Sequence, residues 1–300
     1  WYVLGISTAT SNFDMAGTMI NIAVVFALGF KGFLVEIRGG VGLSLAFLMI
    51  FLGKWLRRSR VMTSAEWMKL RFGTDGPGRA AHLISACANI ILSLGMIIYF
   101  SKGAGKFLTH FLPLSELTCT SAMVMIGLFY TLMSGLYGVV FTDVVQMILL
   151  TFTAIYVSIH AFAMRATVEM PSALFDFNLE VPAGLGQALL ERDPASWTPI
   201  LSAFGLCVAL WFFRTTLEGM GGVGGYTDQR FFAARTEREA SLLTLESIVL
   251  SLFRWTMIAG LVTMGYKLVA EGGAAGQAIA ADPEQVLPIV LSQMLPAGIK

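Results

Sequence analysis

Long apolar stretches alternate with short polar ones along most of the chain. Several contain no Asp, Glu, Lys or Arg over the roughly 20 residues that a helix needs to cross a bilayer. Others of that length carry a few charged residues, and the first of them contains Asp14. The pattern predicts seven membrane-spanning helices, at 2–30, 39–53, 81–101, 117–142, 144–164, 194–213 and 241–268.

The composition agrees with an all-α integral membrane protein. Apolar residues make up 56% of the 300 residues and charged residues 13%, which is about half of the charged share in a soluble domain. A soluble globule of this size could not hide so much apolar surface in one core. The net charge of +1 gives no field that would attract nucleic acid, so the bilayer is the expected partner.

The sequence contains no motif of an enzyme or of a resident cofactor. Cys87, Cys119 and Cys207 are far apart in apolar stretches, which excludes a disulfide framework and a CxxC-type metal site. No Ser/His/Asp order and no HExxH string occurs. We therefore expect neither an enzyme nor a cofactor.

Basic residues concentrate in two short loops between the predicted spans. Residues 54–79 hold seven Lys and Arg, and residues 221–240 hold Arg230, Arg235 and Arg238. Four predicted spans separate the loops, so both lie on one side, which the positive-inside rule assigns to the cytoplasm. Trp1 is then cytoplasmic too, in a multi-pass protein of the plasma or inner membrane. Because the chain starts and stops within apolar stretches, we expect it to be an internal piece of a longer protein.

The first predicted span is interrupted by polar and small residues. Its run from Thr8 to Thr18 includes Asn12, Asp14 and Gly17, all poor helix formers. An Asp within a membrane costs at least about 2.5 kcal/mol, so it normally faces a cavity, an ion or a partner. The sequence predicts a broken helix whose freed carbonyls line a site. The alternative is an Asp that holds the bundle together by a hydrogen bond to a neighbouring helix.

The sixth span carries a second interruption, five spans after the first. Five glycines follow Glu218 near its inner end: Gly219, Gly221, Gly222, Gly224 and Gly225. A flexible helix end before the cytoplasmic loop would explain them equally well. Paired broken helices in two inverted repeats are, however, typical of the binding site of a secondary transporter. Residues 1–164 would form the first five-helix repeat, and residues 194–300 the start of the second.

Four stretches resemble the sodium:solute symporters, a family with the LeuT-like fold. Asp14-Met15-Ala16-Gly17 is similar to a segment of the proline permeases in the first span. Residues 134–146 resemble the family's GG-x-x-AV-x-TDxxQ signature, residues 228–240 its cytoplasmic QR loop, and residues 63–73 a segment that follows the second span. The likeness covers the whole chain and implies an inverted-repeat bundle.

The resemblance implies a sodium ion at the broken first helix, bound partly by backbone carbonyls. Alignment on Asp14-Met15 assigns those carbonyls to Asn12 and Met15, whereas alignment on Ser11-Asn12 assigns them to Thr10 and Phe13. The longer match favours Asn12 and Met15, with Asp14 beside them. A hard cation with oxygen ligands fits either register. A later helix, expected beyond residue 298, would complete the shell.

The resemblance also associates Asp143 with the path of sodium to the cytoplasm. Asp143 follows Thr142 at the boundary between two predicted spans, so it could instead be a carboxylate at a helix start. Asp14, Gly17 and Glu218 border the two breaks and are the candidates to contact a small organic solute. Residues 217–225 contain no Asn, Gln or Tyr, which disfavours a sugar.

Together these features predict sodium-coupled symport of a small organic solute by alternating access. Sodium is the coupling ion. The alternative from another class is a seven-helix receptor, because seven spans are predicted. Helix breaks paired five spans apart have no role in a receptor, which favours the transporter.

Overall fold

The computed structural model describes residues 1–33, 48–164 and 228–296, with residues 46, 167–168, 191, 203, 205–207, 209–210 and 212–214 between them. This part of the chain is helical and contains no strand. Its helices are α1 (Tyr2–Thr10), α2 (Met15–Leu28), α3 (Gly53–Ser59), α4 (Ser64–Phe72), α5 (Gly76–Leu108), α6 (Glu116–Met164), α7 (Asp228–Ala233), α8 (Glu237–Glu271), α9 (Ala274–Ala281) and α10 (Val286–Met294). A π-helical turn, Leu48–Leu52, leads into α3, and 3-10 turns lie at Gly29–Lys31 and Pro283–Gln285.

Three of the described helices, α5, α6 and α8, are long and apolar enough to cross a membrane. The pair formed by α1 and α2 meets the same criterion when taken together, although it bends by 60° at its break. The predicted break in the first apolar segment is thereby confirmed. The predicted spans 39–53 and 194–213 fall largely outside the described residues, so the number of seven spans stays a prediction.

Helix α6 corrects the predicted boundary between the fourth and fifth spans. It runs for 49 residues, more than twice the roughly 20 needed for one crossing. It is interrupted at Gly135, where φ is 57° and ψ is −148°, a conformation almost restricted to glycine. The division between the two predicted spans therefore lies at Gly135 and not at Asp143. The helix is broken by the backbone conformation of Gly135 and not by the charge of Asp143.

Substitution of Gly135 by Ala should destabilise the protein by about 1–3 kcal/mol. No atom lies within 4 Å of the position that the new Cβ would take, so the cost is one of backbone conformation. Gly127→Ala is the matched control, because this glycine is helical and its nearest neighbour, Tyr130 Cε1, is 4.0 Å away. It should be neutral or stabilising. Equal unfolding midpoints for both variants in detergent would contradict the account of the break.

Helix α8 lies at the centre of the described bundle and packs against α1, α2 and α6. Its core side chains meet those of α2 and α6, as in the cluster of Ile22, Phe26, Val157, Ile258 and Leu261. Gly260 allows the close approach of α6, because a Cβ there would lie 2.9 Å from Val157 Cγ1. The first broken span is thus held between two apolar helices.

A smaller apolar cluster closes the end of the bundle that is expected to be cytoplasmic. It joins α3, α7 and α8 through Leu56, Phe231, Phe232 and Leu243. Phe231 and Leu243 are fully buried, so the short helix α7 is fixed in place. Large apolar side chains of α5 and α6, by contrast, are exposed, among them Ile98 and Phe129. A surface of this kind suits lipid contact.

Candidate functional site

The candidate site begins at the break between α1 and α2. Helix α1 ends at Thr10, and α2 begins at Met15. Asp14 is the N-cap of α2, in an extended conformation, and its carboxylate accepts a hydrogen bond from the Gly17 N–H. The predicted alternative is a hydrogen bond that joins Asp14 to a neighbouring helix. The observed hydrogen bond lies within the same segment instead, because Asp14 caps its own half-helix.

Gly17 has a local reason to be glycine. A Cβ at this position would lie 2.7 Å from Asp14 Oδ2 and would push the carboxylate away from the cap. The structure therefore places the predicted solute residue Gly17 beside Asp14, in the first turn of α2. Glu218, the third predicted solute residue, and the glycines that follow it lie outside the described residues.

The break leaves backbone carbonyls without partners. Within the described part of the chain, the carbonyls of Asn12 and Phe13 accept no hydrogen bond. The Thr10 carbonyl, by contrast, accepts one from the Phe13 N–H at 2.9 Å. The Met15 carbonyl lies in the first turn of α2, where it bonds within the helix. Each predicted sodium register thus contains one unpaired carbonyl, and the choice between the registers stays open.

A buried arginine of α8 lies close to the break. Arg254 is only 4% exposed, and its guanidinium carbon is 5.9 Å from the centre of the Phe13 ring. It interacts electrostatically with the Asp14 carboxylate. The negative charge of Asp14 is therefore partly balanced from within the chain, so a cation bound here would rely on neutral carbonyl oxygens as well as on this carboxylate.

Asp143 belongs to a polar cluster that joins three elements. Its carboxylate accepts a hydrogen bond from the Ser7 hydroxyl of α1 and one at 3.2 Å from Arg230 Nη2 of α7. Arg230 Nε also donates to Ser7 Oγ at 2.6 Å, and Thr10 Oγ1 donates to the Asp143 carbonyl at 3.0 Å. The Arg230 and Asp143 side chains are only 8% and 13% exposed. We call Ser7, Thr10, Asp143 and Arg230 the inner cluster.

The inner cluster corrects one interpretation of Asp143 and adds two residues. Asp143 lies inside the second part of α6, at 136–164, so it is not a carboxylate at a helix start. Thr142 does not cap a helix either, since its hydroxyl donates to the Val139 carbonyl within α6. Ser7 and Arg230 were not predicted as site residues. The signal that could have indicated Arg230 is its place in residues 228–240, the stretch that resembles the family's cytoplasmic QR loop.

The cluster and the break are parts of one arrangement. Helix α1 carries Ser7 and Thr10 at the inner cluster, and it ends directly at the break. The Ser247 hydroxyl of α8 donates to the Gly5 carbonyl of α1 at 2.8 Å, so the other side of α1 is held as well. Among the described residues, no group of three or more His, Cys, Asp and Glu side chains could hold a metal ion.

One comparison with known proteins decides the family. The model of the sodium:solute symporter family matches residues 1–300, the whole chain. The chain belongs to the sodium:solute symporter family. Membership implies sodium-coupled transport of a solute across a membrane by a multi-pass integral membrane protein, and not an enzymatic reaction. It gives no support to the alternative of a receptor. No curated protein and no solved structure matches the chain.

Proposed function

We propose that this symporter moves a small organic solute inward together with sodium, by alternating access around the broken first span. The observation that carries the proposal is the break itself, with its unpaired carbonyls at Asn12 and Phe13. Irregular backbone at membrane depth is tolerated where it lines a cavity or a site. Half-helix ends of this kind supply carbonyl oxygens to a cation and N–H groups to a solute.

In this proposal sodium binds at the break through one of the two registers, either Asn12 with Met15 or Thr10 with Phe13. Asp14 orients the start of α2 and adds negative charge beside the ion. Gly17 leaves room for the Asp14 carboxylate and, with Glu218, borders the solute. A helix beyond residue 298 supplies the remaining oxygen ligands. The LeuT-like arrangement, with residues 1–164 as the first repeat, belongs to the same proposal.

The inner cluster then serves as a closure on the cytoplasmic side. It ties α1 to α6 and α7 by the hydrogen bonds of Ser7 and Arg230 to the Asp143 carboxylate. Release of sodium to the cytoplasm requires α1 to separate from α6, and this separation breaks those bonds. A passing sodium ion can replace Arg230 as the partner of Asp143, because a carboxylate is a ligand that hard cations prefer.

The proposed function is tested by uptake into proteoliposomes that hold the full-length protein. Radiolabelled amino acids, sugars, carboxylates and vitamins are offered with an inward sodium gradient and, as a control, with potassium in place of sodium. We expect accumulation of one solute class that requires sodium and collapses with a sodium ionophore. Folded protein that accumulates no solute under a sodium gradient would contradict the proposal.

A further inference from the structure

We infer that a basic cleft between α3 and the start of α8 binds the phosphodiester headgroup of an anionic phospholipid. The cleft has a volume of about 430 Å³ and is lined by Arg57, Arg58, Arg60, Arg235, Thr236, Glu237 and Arg238. Its lining shares no residue with the break or with the inner cluster. The inference is therefore independent of which solute is carried.

The charge of the basic cleft is strongly positive even after its internal pairs are considered. Five arginines face one glutamate, and Glu237 is already paired with Arg58 Nε at 2.7 Å. Arg57 donates hydrogen bonds through Nε and Nη2 to the Arg235 carbonyl. These bonds join the two sides of the cleft, but they neutralise no charge because a carbonyl is uncharged. Four positive charges therefore remain unbalanced in the cleft.

Three of these arginines have side chains that are available to a ligand. The side chains of Arg60, Arg235 and Arg238 are exposed and form no hydrogen bond or ion pair with any other described residue. Arg60 ends α3 in a left-handed conformation with φ of 53°. A guanidinium presents a planar fork of donors that matches phosphate oxygens, so two guanidinium groups in one cleft form a fitting site for a phosphodiester.

The surroundings of the basic cleft favour a lipid over a soluble phosphate. The apolar turn Leu48–Leu52 precedes α3 directly and leaves Ile50 and Phe51 exposed. Trp55, one turn further, is 61% exposed, and the guanidinium carbon of Arg58 lies 5.6 Å from the centre of its ring. Trp at a span end is typical of the depth of lipid headgroups. Arginines for a phosphate and apolar side chains for acyl chains thus lie side by side, as a phospholipid requires.

The test is a titration of the full-length protein in neutral detergent with phosphatidylglycerol and with phosphatidylcholine, followed by native mass spectrometry of the bound lipid. A micelle of neutral detergent has no bilayer surface potential, so the measured binding depends only on direct contacts between the lipid and the protein. The double variant R60Q/R238Q is compared with K69Q/R71Q. The control removes the same charge from exposed residues of α4, in the same basic segment but outside the cleft.

We expect R60Q/R238Q to weaken phosphatidylglycerol binding by up to about 30-fold, because each direct, exposed ion pair between an arginine and the headgroup contributes a factor of up to about five. K69Q/R71Q should change it by less than about threefold, and phosphatidylcholine should bind weakly to all three proteins. Equal losses in both double variants, or no loss in R60Q/R238Q, would overturn the inference. Displacement of the bound lipid by inorganic phosphate alone would also overturn it, since the site would then be one for soluble phosphate.

Discussion

Replacement of Arg230 by Gln is expected to destabilise the protein by about 3–5 kcal/mol, because it leaves the charge of Asp143 buried without its partner. Asp143→Asn alone should cost a similar amount by leaving Arg230 unpaired. The double variant D143N/R230Q removes both charges, so its loss should be clearly smaller than the sum of the two single losses. Unfolding midpoints in denaturant, measured on the full-length protein in detergent, give the three values.

Arg58→Gln is the control for the loss of an arginine in an ion pair. Its partner is Glu237, but the two side chains are 54% and 41% exposed, and exposed pairs of this kind contribute little to stability. Its unfolding midpoint should remain near that of the wild type. An R230Q variant as stable as R58Q would show that the inner cluster does not hold α1, α6 and α7 together.

The same variants should alter transport in a distinct way. If the inner cluster closes the cytoplasmic side, its loss disturbs the conformational step and leaves the solute site intact. We therefore expect D143N to lower the maximal rate of uptake more than it changes the solute concentration for half-maximal uptake. A normal maximal rate with weakened apparent sodium affinity would assign Asp143 to ion binding instead.

Asp14→Ala is expected to weaken the apparent affinity for sodium strongly or to abolish transport. The substitution removes the cap of α2, at a cost of about 1 kcal/mol, and also removes the negative charge beside the break. Asp14→Asn separates the two effects, because Asn is an equally good cap but carries no charge. The measurement is the sodium concentration that gives half-maximal uptake for each variant.

The proposed sodium site predicts that both D14A and D14N weaken sodium activation, with D14A also lowering stability. A D14N variant with wild-type sodium dependence would assign Asp14 a capping role alone. Wild-type sodium dependence in D14A would remove Asp14 from the sodium site altogether.

The break in the first span could be predicted because its cause is local. Asn12, Asp14 and Gly17 favour capping and turns, and Asp14 indeed caps α2. The division of α6 could not be placed correctly, since the count of charged residues favoured Asp143 as a boundary. The break depends instead on the backbone conformation of Gly135, which is one of several glycines in that segment.

The contacts of Ser7 and Arg230 in the inner cluster could not be predicted, for a different reason. An arginine in a basic loop is usually solvated, and nothing in the sequence near Arg230 states that it is buried. Its burial follows from Phe231 and Phe232, which anchor α7 in an apolar cluster with residues of α3 and α8. Ser7 is a small hydroxyl residue in an apolar helix, and its role depends on an Asp 136 positions away. Such partners emerge only from the tertiary structure.

The coupling between the sodium flux and the solute flux can be tested with a solute gradient that drives sodium, the reverse of uptake driven by a sodium gradient. Proteoliposomes with the full-length protein receive equal sodium concentrations on both sides, an inward gradient of the transported solute, and a trace of radiolabelled sodium outside. Linkage requires that each coupled species drive the other. We predict that the solute gradient alone drives a transient inward accumulation of sodium. Entry of the solute without any movement of sodium would contradict sodium-coupled symport.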